Sequence, residues 1–510
     1  MNILYINIKS AGIREGYPGL FVPLGMACIS AMLKKHGYQG DCIDLQTEAI
    51  LKDGIFNPVA AVSELKLEKY DVVAFGGTFL TFKDLQMLSQ KIWEVKKDIF
   101  QIAGGQAATA AADVILRKTR VGCVCLYEGE KTVVELLDLW KDGGDWSAVR
   151  GIKYLNEAGE VIQTPTREKI SELDELPYPA REDWNFKIIK KAFPYGSPAR
   201  YCAVMFASRG CPFTCIFCHP TSGKVIRTRS PQSIVSEIKY LQERYNVQYI
   251  RFFDEVFIGP KRKIKELCDL IIQEKLNIFW WCQTQVKLVD EELLRIMRHA
   301  GCIEVAYGIE SGSNVILSEM KKGITKELSK EVIEMTNRSG IRVSISMIAG
   351  TPSETLDTLR ETRDFVMSLN HINWVQQVPS IGLIIPLPGT SLYEIAKEKN
   401  FIKDEEGYLT ESLCGLSRFD KSINLTQLSD EEFFGFVEKC NAEIQRDYYA
   451  KHRWKKVLSI LGLDHLRWDL MFRHFSLSQV RPILEALLWA TLAKRNNKLG
   501  RFLARLLYSR

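Results

Sequence analysis

Residues 207–219 read Ala-Ser-Arg-Gly-Cys-Pro-Phe-Thr-Cys-Ile-Phe-Cys-His, and they hold Cys211, Cys215 and Cys218 at a C-x3-C-x2-C spacing. Thiolates grouped in this way bind iron-sulfur clusters, zinc or copper(I). A 4Fe-4S cluster usually takes four cysteines, so three local ligands would leave one iron open to a cofactor or substrate. A structural zinc site would need a fourth ligand, and His219, directly next to Cys218, is the one nearby candidate. The loop therefore predicts an iron-sulfur site, with zinc as the alternative.

Strand patterns and helix patterns alternate around this loop. Six candidate strands cover residues 202–207, 248–253, 278–285, 303–308, 342–348 and 375–385. Six βα units of this kind predict an open partial barrel, in which functional groups lie at the carboxyl ends of the strands. Cys211 follows the first strand and Asp254 follows the second. The cysteine loop is therefore expected at the functional end of the barrel.

Two more motifs follow predicted strands of the barrel. Residues 306–312 read Ala-Tyr-Gly-Ile-Glu-Ser-Gly and continue into Met-Lys-Lys-Gly-Ile-Thr at 320–325, while residues 349–355 read Ala-Gly-Thr-Pro-Ser-Glu-Thr. With the cysteine spacing and the aromatic Phe217, they resemble the radical S-adenosylmethionine (SAM) superfamily over residues 199–395. The resemblance implies that the open iron chelates SAM, and that one electron cleaves SAM to a 5'-deoxyadenosyl radical, which removes hydrogen from an unactivated C–H bond. The residues predicted to bind SAM are Phe217, Asp254, Gly308, Glu310, Ser311, Gly350 and Pro352.

The same motifs also have structural interpretations. Glu310 could cap the next helix at its positive end, and residues 349–355 could form a turn and a helix cap. Arg227 and Arg229 could bind an anionic group or the SAM carboxylate, or they could be surface charges. Four cysteines of the barrel and beyond are expected to pack as small apolar side chains, namely Cys268, Cys282, Cys302 and Cys414.

The N-terminal third, residues 1–140, predicts a doubly wound parallel sheet, because short apolar runs alternate with helical patterns. The predicted strands cover residues 3–6, 42–45, 72–75, 100–103 and 121–126. The predicted helices cover residues 24–36 and 83–97, and a third begins at Thr132. Ligands of such sheets lie beyond the carboxyl ends of the strands.

Short motifs lie at these strand ends and before the first helix. They are Pro23-Leu24-Gly25, Gly77-Thr78, Gly104-Gly105 and Glu128-Gly129-Glu130. In this order they resemble the cobalamin-binding domain that precedes the radical domain in one large branch of the superfamily. The residues predicted to bind cobalamin are Gly77, Thr78, Gly104, Gly105, Gln106, Glu128 and Gly129.

The lower face of cobalt is expected to lack a histidine ligand. The sequence contains no Asp-x-His-x-x-Gly motif, and His36, in a Lys-Lys-His-Gly helix end, is the only histidine before the cysteine loop. The alternative is a domain that has kept the fold and lost the cofactor.

Two further regions complete the predicted organisation. Residues 141–198 form a linker with a hairpin at 151–164, and residues 396–510 form a mainly helical, basic C-terminal region. From residue 446 onwards, 14 Lys and Arg stand against 4 Asp and Glu, with Trp454, Trp468 and Trp489 among them. The apolar run 482–493 is too short to span a bilayer, and residues 499–507 are amphipathic. This region predicts an interfacial helix, a cover over a hydrophobic substrate cavity, or a helical cap with a solvated basic face.

The bulk composition is that of a soluble globular protein, with 46% hydrophobic and 25% charged residues. A length of 510 residues exceeds what one core usually serves, which favours two or three domains. The 13 scattered cysteines fit reduced thiols better than a disulfide framework, and the N-terminus shows no signal pattern. We therefore expect a cytoplasmic protein working at low oxygen, with peripheral contact to the inner membrane surface as an open alternative.

The leading functional hypothesis is a cobalamin-dependent radical SAM enzyme that methylates an unactivated carbon of a small-molecule or lipid-like substrate. A flavodoxin or ferredoxin would supply single electrons. The runner-up is an oxidative cyclase acting on a lipid or tetrapyrrole. A tRNA methylthiotransferase would need a second three-cysteine cluster and a C-terminal RNA-binding barrel, and nucleic acid is not expected as a partner. A non-catalytic iron-sulfur membrane adaptor is the hypothesis from a different class.

Overall fold

The computed structural model describes residues 1–8, 21–45, 62, 65–77, 82–184, 201–219, 221–372, 378–413 and 423–452. Within these residues, the strands form a seven-stranded sheet, a six-stranded sheet and a two-stranded ladder. The predicted fold class, a doubly wound sheet followed by a partial barrel, is confirmed.

The first sheet belongs to the N-terminal region. Its strands are β1 (Asn2–Asn7), β2 (Gln39–Asp44), β3 (Val72–Gly76), β4 (Phe100–Gly104), β5 (Cys123–Cys125), β6 (Ile152–Leu155) and β7 (Val161–Gln163). The spatial order is β2-β1-β3-β4-β5-β6-β7. Strands β1 to β5 are parallel, whereas β6 and β7 run antiparallel at one edge. The hairpin predicted within the linker therefore extends this sheet.

Helices cover both faces of the first sheet. They are α1 (Leu24–Lys35), α2 (Phe82–Val95), α3 (Gln106–Ala110), α4 (Ala112–Lys118) and α5 (Glu130–Lys141). Alternate residues of β1 enter different cores, because Ile3 and Tyr5 pack with α1 and α5 whereas Leu4 and Ile6 pack with α2 and α4. This double burial explains why the strands are continuous apolar runs.

The second sheet, called the barrel below, is parallel throughout. The strands of this half are β8 (Cys202–Met205), β9 (Ser208–Arg209), β10 (Arg227–Thr228), β11 (Tyr249–Phe252), β12 (Phe279–Thr284), β13 (Cys302–Glu310), β14 (Arg342–Ala349) and β15 (Ile381–Leu383). The barrel order is β8-β11-β12-β13-β14-β15, and β9 pairs with β10 around the cysteine loop. The sixth predicted strand is shorter than expected, since only Ile381–Leu383 pair in the described part of 375–385.

Several of the barrel helices begin at side-chain caps. The barrel helices are α6 (Pro231–Tyr245), α7 (Lys261–Gln273), α8 (Glu291–His299), α9 (Asn314–Glu319), α10 (Lys326–Arg338), α11 (Leu356–Ser368) and α12 (Ser391–Glu398). Ser230 caps α6, which has proline at its first position, and Thr355 forms a capping box with Thr358 at the start of α11.

A C-terminal helix, α13 (Asp430–Lys451), covers the open edge of the barrel. The Asn441 side chain accepts a hydrogen bond from Ile381 N at 2.7 Å and donates one to Ile381 O at 3.0 Å. The Asn441 side chain therefore makes the backbone hydrogen bonds that a neighbouring strand would make with the edge strand β15. Asn370, after α11, donates to Ile444 O at 3.1 Å and to Asp447 at 2.9 Å.

The described part of the predicted C-terminal region is thus mainly helical. The predictions for residues 453–510, which include the three tryptophans, the apolar run and the amphipathic segment, lie outside the described residues, as do Thr78 and Cys414. In the part of the chain that the structure describes, every helix is too short or too polar to cross a bilayer.

Candidate active site between the two sheets

The carboxyl ends of the two sheets meet at a cavity of about 700 Å³. Six of the seven residues predicted to bind cobalamin line it, namely Gly77, Gly104, Gly105, Gln106, Glu128 and Gly129. The barrel contributes the opposite wall, which is formed by Phe206, Ser208, Arg209, Phe253 and Glu255. A cavity of this size is in the range of small-molecule and cofactor sites.

The floor of the cavity is formed by backbone that requires glycine. Gly105 has φ +96°, and a Cβ added to Gly129 would meet Ile29 Cδ1 at 3.0 Å. A Cβ on Gly76 would lie 2.5 Å from Met26 Sδ. Glycines of this kind let a large ligand approach the main chain closely. The apolar, glycine-rich floor fits the face of a corrin ring.

No histidine lies among the described residues that line this cavity. His36 is instead at the C-cap of α1, where its Nδ1 lies 2.9 Å from Met32 O. The absence of a histidine ligand on the lower face of cobalt stays a prediction.

The cysteine loop is held by backbone hydrogen bonds to three distant segments. Cys211 N donates to Gly223 O at 3.0 Å, Ile216 N donates to Met320 O at 3.1 Å, and Leu392 N donates to Ile216 O at 2.8 Å. The loop is thereby tied to the segment after β13 and to the start of α12.

Two carboxylates after β11 also position this loop. Asp254 is buried and accepts hydrogen bonds from Ala207 N at 3.0 Å, from Ser208 Oγ at 2.6 Å and from Ser208 N. Burial raises the pKa of Asp254 to about 6, although these hydrogen bonds oppose the rise. Glu255 accepts from Gly210 N at 2.8 Å. We therefore expect Asp254 to position the loop rather than to touch SAM, which revises the sequence-based prediction.

The three thiols of the cysteine loop lie close enough to affect one another. Desolvation raises the pKa of Cys218 to about 11, and the nearby Cys211 and Cys215 add to the rise. Among the described residues, no three His, Cys, Asp or Glu side chains are placed to hold a single metal ion.

Glu310 and Lys322 form a buried ion pair beside the loop, with Nζ to Oε1 at 3.0 Å. Burial lowers the pKa of Lys322, but Glu310 and the Cys215 thiol outweigh burial and raise it above its ordinary value. The Lys322 Nζ lies 5.7 Å from the centre of the Phe217 ring. Glu310 does not cap the next helix, because it has φ +76° and is engaged by Lys322.

Gly308 is required for this pair. A Cβ at this position would overlap Glu310 Oε1 and lie 2.9 Å from Lys322 Nζ. The strand register shifts between Gly308 and Glu310, which turns the Glu310 side chain at the strand end. Gly308, Glu310 and Lys322 are thus packed against one another, and they lie within 14 positions of each other in the sequence.

The remaining predicted SAM residues, Ser311, Gly350 and Pro352, lie next to α11 and α13. The Ser311 hydroxyl bonds to Thr362 Oγ1 at 3.0 Å, so it holds α11 to the end of β13. Gly350 has φ +113°, and an added Cβ would meet Phe433 Cζ of α13 at 3.0 Å. Pro352 is buried beside it. The helix-cap interpretation of 349–355 is correct, since Thr355 caps α11, and Gly350 N donates to Glu354 Oε2 at 3.2 Å.

Two arginines join the cavity wall to the N-terminal region. Arg227 donates to both carboxylate oxygens of Glu128, at 3.0 and 2.7 Å, and Arg209 pairs with Glu130 at 2.6 Å. Burial alone would raise the pKa of Glu128, but the Arg227 hydrogen bonds and the Arg209 charge hold it below its ordinary value. Arg229 pairs with the buried Glu237. The interpretation of Arg227 and Arg229 as ligands of an anion or of SAM is therefore wrong, because buried carboxylates of the protein already take both guanidinium groups.

The comparisons with known proteins agree with this geometry. A model of the B12 binding domain matches residues 12–137, and a model of the radical SAM superfamily matches residues 205–366. The chain is a radical SAM enzyme with a B12-binding domain. This radical SAM protein is 29% identical to an uncharacterised methyltransferase of Pyrococcus horikoshii over 82% of its own length and 86% of the relative.

Two further comparisons cover most of the chain. An anaerobic magnesium-protoporphyrin IX monomethyl ester cyclase of Rubrivivax gelatinosus is 27% identical over 80% of this chain and 72% of the cyclase. The structure of the cobalamin-dependent SAM radical enzyme OxsB, with aqua-cobalamin and SAM bound, has a TM-score of 0.66 and 16% identity and covers 97% of this chain and 80% of its own. This likeness establishes the shared fold, and the two family models confirm the predicted radical SAM and B12-binding domains.

Sequence reasoning assigned no role to three residues that the structure places at the site: Lys322, Glu255 and Arg209. Lys322 lies in the quoted segment 320–325, and Glu255 and Arg209 adjoin residues that were singled out. Their position next to recognised motifs was the available signal, but their partners are set by tertiary contacts.

Proposed function

We propose that this protein transfers a methyl group to an unactivated carbon of a small-molecule substrate, with cobalamin in the cavity between the sheets and a 4Fe-4S cluster with SAM at the cysteine loop. One observation carries the proposal. The wall opposite the glycine floor is formed by Ser208 and Arg209, which directly precede the cysteine loop, and by Glu255, which holds that loop. The segment that leads into the cysteine loop therefore borders the cavity that the predicted cobalamin residues line.

The bound groups would supply hydrogen abstraction at the cluster side and a methyl group at the cobalamin side. The chain supplies position and charge. Asp254 and Glu255 fix the loop, and Glu310 with Lys322 presents a buried acceptor and donor next to Phe217. The ion pairs of Arg209 and Arg227 hold the two walls of the cavity at a fixed separation.

The experiment is anaerobic reconstitution with iron, sulfide and cobalamin, followed by quantification of the products formed from SAM. Methyl transfer must resupply the methyl group from SAM, so both 5'-deoxyadenosine and S-adenosylhomocysteine are expected. Enzyme reconstituted without cobalamin is the control, and it should form no S-adenosylhomocysteine. Formation of 5'-deoxyadenosine alone by the cobalamin-loaded enzyme would contradict methyl transfer.

That last outcome would support the second candidate, an oxidative ring closure. The similarity to the Rubrivivax cyclase favours it. The methylthiotransferase hypothesis has less support, since Cys28, Cys123 and Cys125 of the N-terminal region are buried and belong to no group of three possible metal ligands among the described residues.

We further propose that the enzyme works where thiols stay reduced and oxygen is low, such as the cytoplasm, with a flavodoxin or ferredoxin as electron donor. The 12 described cysteines are all unpaired, and an exposed cluster is oxidised readily. Contact of the basic C-terminal segment with a membrane stays a prediction, which co-sedimentation with anionic vesicles would test.

A further inference from the structure

A row of side chains crosses the inner face of the barrel at one level. Arg251 of β11 pairs in register with Trp281 of β12, Trp281 with Glu304 of β13, and Glu304 with Arg342 of β14. Residues in one register row project to the same face of a sheet. That face is the lumen, because the alternate residues, such as Phe252, pack in the core beneath the helices.

Arg251 lies in this row among aromatic rings. Its guanidinium carbon is 4.2 Å from the centre of the Trp281 ring, 5.3 Å from Phe21 and 5.7 Å from Phe253. Arginine stacks well on such rings while its N–H groups stay available in the plane. The side chain is partly exposed to the lumen.

Two hydrogen-bond donors here have no acceptor among the described residues. They are Arg251 Nε and Trp281 Nε1, and both atoms are buried. The whole Trp281 residue is 7% exposed. A buried donor without a partner is costly, and neither group can act as an acceptor. Both donors therefore lack an acceptor among the described residues, and a bound ligand would have to supply it.

The charges of the row leave Arg251 uncompensated. Glu304 is the only carboxylate of the row, and its Oε2 lies 3.9 Å from Arg342 Nη2. The Trp281 ring occupies the strand between Arg251 and Glu304, so the two charged groups are separated by two strand spacings, roughly 10 Å. Among the described residues, no carboxylate forms an ion pair with Arg251.

Small residues lie above this row, toward the carboxyl ends of the strands. Ala306 and Gly308 of β13 pair with Ser344 and Ser346 of β14, and Ser346 is exposed. Only small side chains of these two strands therefore lie on this face between the level of Arg251 and the strand end that carries Glu310.

We propose that Arg251 binds an oxyanion, a carboxylate or a phosphate, on the substrate, with the Trp281 indole N–H as second donor and the rings of Phe21 and Phe253 against the adjoining carbon skeleton. This inference rests on the proposed function, since it takes the lumen as the place where the substrate meets SAM. It assigns the substrate to the class of anionic molecules with an apolar body. Arg251 is a specificity-determining residue in this assignment.

The test measures binding to the reconstituted enzyme by calorimetry, with saturating SAM present. The probes are benzoate and phenyl phosphate, and benzamide is the neutral analogue. We expect an oxyanion probe to bind at least ten-fold more tightly than benzamide, and Arg251→Gln to remove that preference. Arg251→Lys should keep part of it, and Trp281→Phe, which keeps a ring and removes the N–H, should weaken it several-fold.

The control is Arg120→Gln. The Arg120 guanidinium carbon lies 4.1 Å from the centre of the Trp93 ring in the N-terminal region. The substitution therefore removes a similar cation–π pair outside the lumen. It should leave probe binding unchanged. Cluster absorption and circular dichroism identify any variant that has not folded, and Trp281→Phe provides an independent variant if Arg251→Gln fails.

Equal binding of the oxyanions and benzamide to the wild type would overturn the proposal, as would unchanged oxyanion affinity in Arg251→Gln. Loss of probe binding at saturating SAM would also overturn it, because Arg251 would then serve the SAM carboxylate. The measurement requires no turnover. A failure of methyl transfer is therefore distinguishable from a failure of anion binding.

Discussion

The two sheets present their carboxyl ends to the same cavity, but the chain builds these ends from different groups. The first sheet ends in glycines, such as Gly77, Gly105 and Gly129, which line the cavity. The barrel ends in buried charged side chains: Glu310 pairs with Lys322, and Asp254 accepts hydrogen bonds from Ala207 N and Ser208 Oγ. The end of the first sheet thus has room for a ligand, whereas the end of the barrel has buried charged groups.

The difference matches the ligands that each end would hold. A large ring needs close approach to the main chain, which only glycine permits. A small charged molecule needs fixed donors and acceptors in a dry site, where each is strong. Substitutions at the first end should therefore act by filling space, whereas substitutions at the second should act by breaking charge pairs.

The largest effect is expected at the cysteine loop. Cys215→Ala removes one of three thiolates, so the cluster should be lost and 5'-deoxyadenosine formation should fall at least about 100-fold. Iron content and product chromatography after anaerobic reconstitution measure this. Cys42→Ala, in β2 and outside the loop, is the control. Full iron content and normal SAM cleavage in Cys215→Ala would show that the thiol of Cys215 is not a ligand of the cluster.

The next effect tests charge at the barrel end. Gly308→Ala should lower SAM affinity about ten-fold or more, because its Cβ would overlap Glu310 and crowd Lys322, breaking a buried pair. Equilibrium dialysis with labelled SAM gives the affinity. Gly382→Ala on β15 is the matched control, since its Cβ would meet no atom closer than 3.6 Å. If both variants bind SAM as the wild type does, the pair does not shape the SAM site.

A smaller effect tests space at the first sheet. Gly105→Ala should reduce retained corrinoid several-fold while leaving the iron content unchanged. Gly143→Ala is the matched control, because Gly143 also has positive φ, +66°, but has nothing within 4 Å of an added Cβ. Each variant should lose about 1 kcal/mol of stability from backbone strain. Equal corrinoid retention in the two variants would show that the glycine floor does not contact the ring.

The smallest effect concerns the arginines that join the two ends. The pKa of Glu128 is held low in the folded protein, so its contribution to stability is present above the unfolded pKa and is lost as pH falls through the folded pKa. Arg227→Gln removes the main hydrogen-bond donor and raises the folded pKa. Stability at neutral pH should fall by about 1–2 kcal/mol, and the acid loss should begin at a higher pH.

Urea unfolding across the acid range measures this shift. Arg262→Gln is the control, because the Arg262 side chain is 80% exposed and its pair with Glu266 spans a single helical turn. An unchanged acid profile in Arg227→Gln would mean that the Glu128 pair does not stabilise the interface.

The sequence by itself determined the order of the two domains, the strand runs of each and the three clustered cysteines. These follow from local patterns, because apolar periodicity and ligand spacing are written in neighbouring residues. The strands β3, β4 and β14 begin where the patterns predict. The glycine motifs were likewise predictable, since each ends a strand, and the structure brings the described ones to one cavity.

Only the tertiary structure decided which charged groups act on each other. Arg227 reaches Glu128 across 99 positions of sequence, and Asp254 reaches Ala207 across 47. The sequence patterns assigned Glu128 and Asp254 to cofactors and left Arg227 as an anion ligand or a surface charge, because a charged residue near a motif is equally suited to a cofactor or to a buried partner. The choice depends on the packing of distant segments, and a buried charge takes whichever partner the fold brings within hydrogen-bond distance.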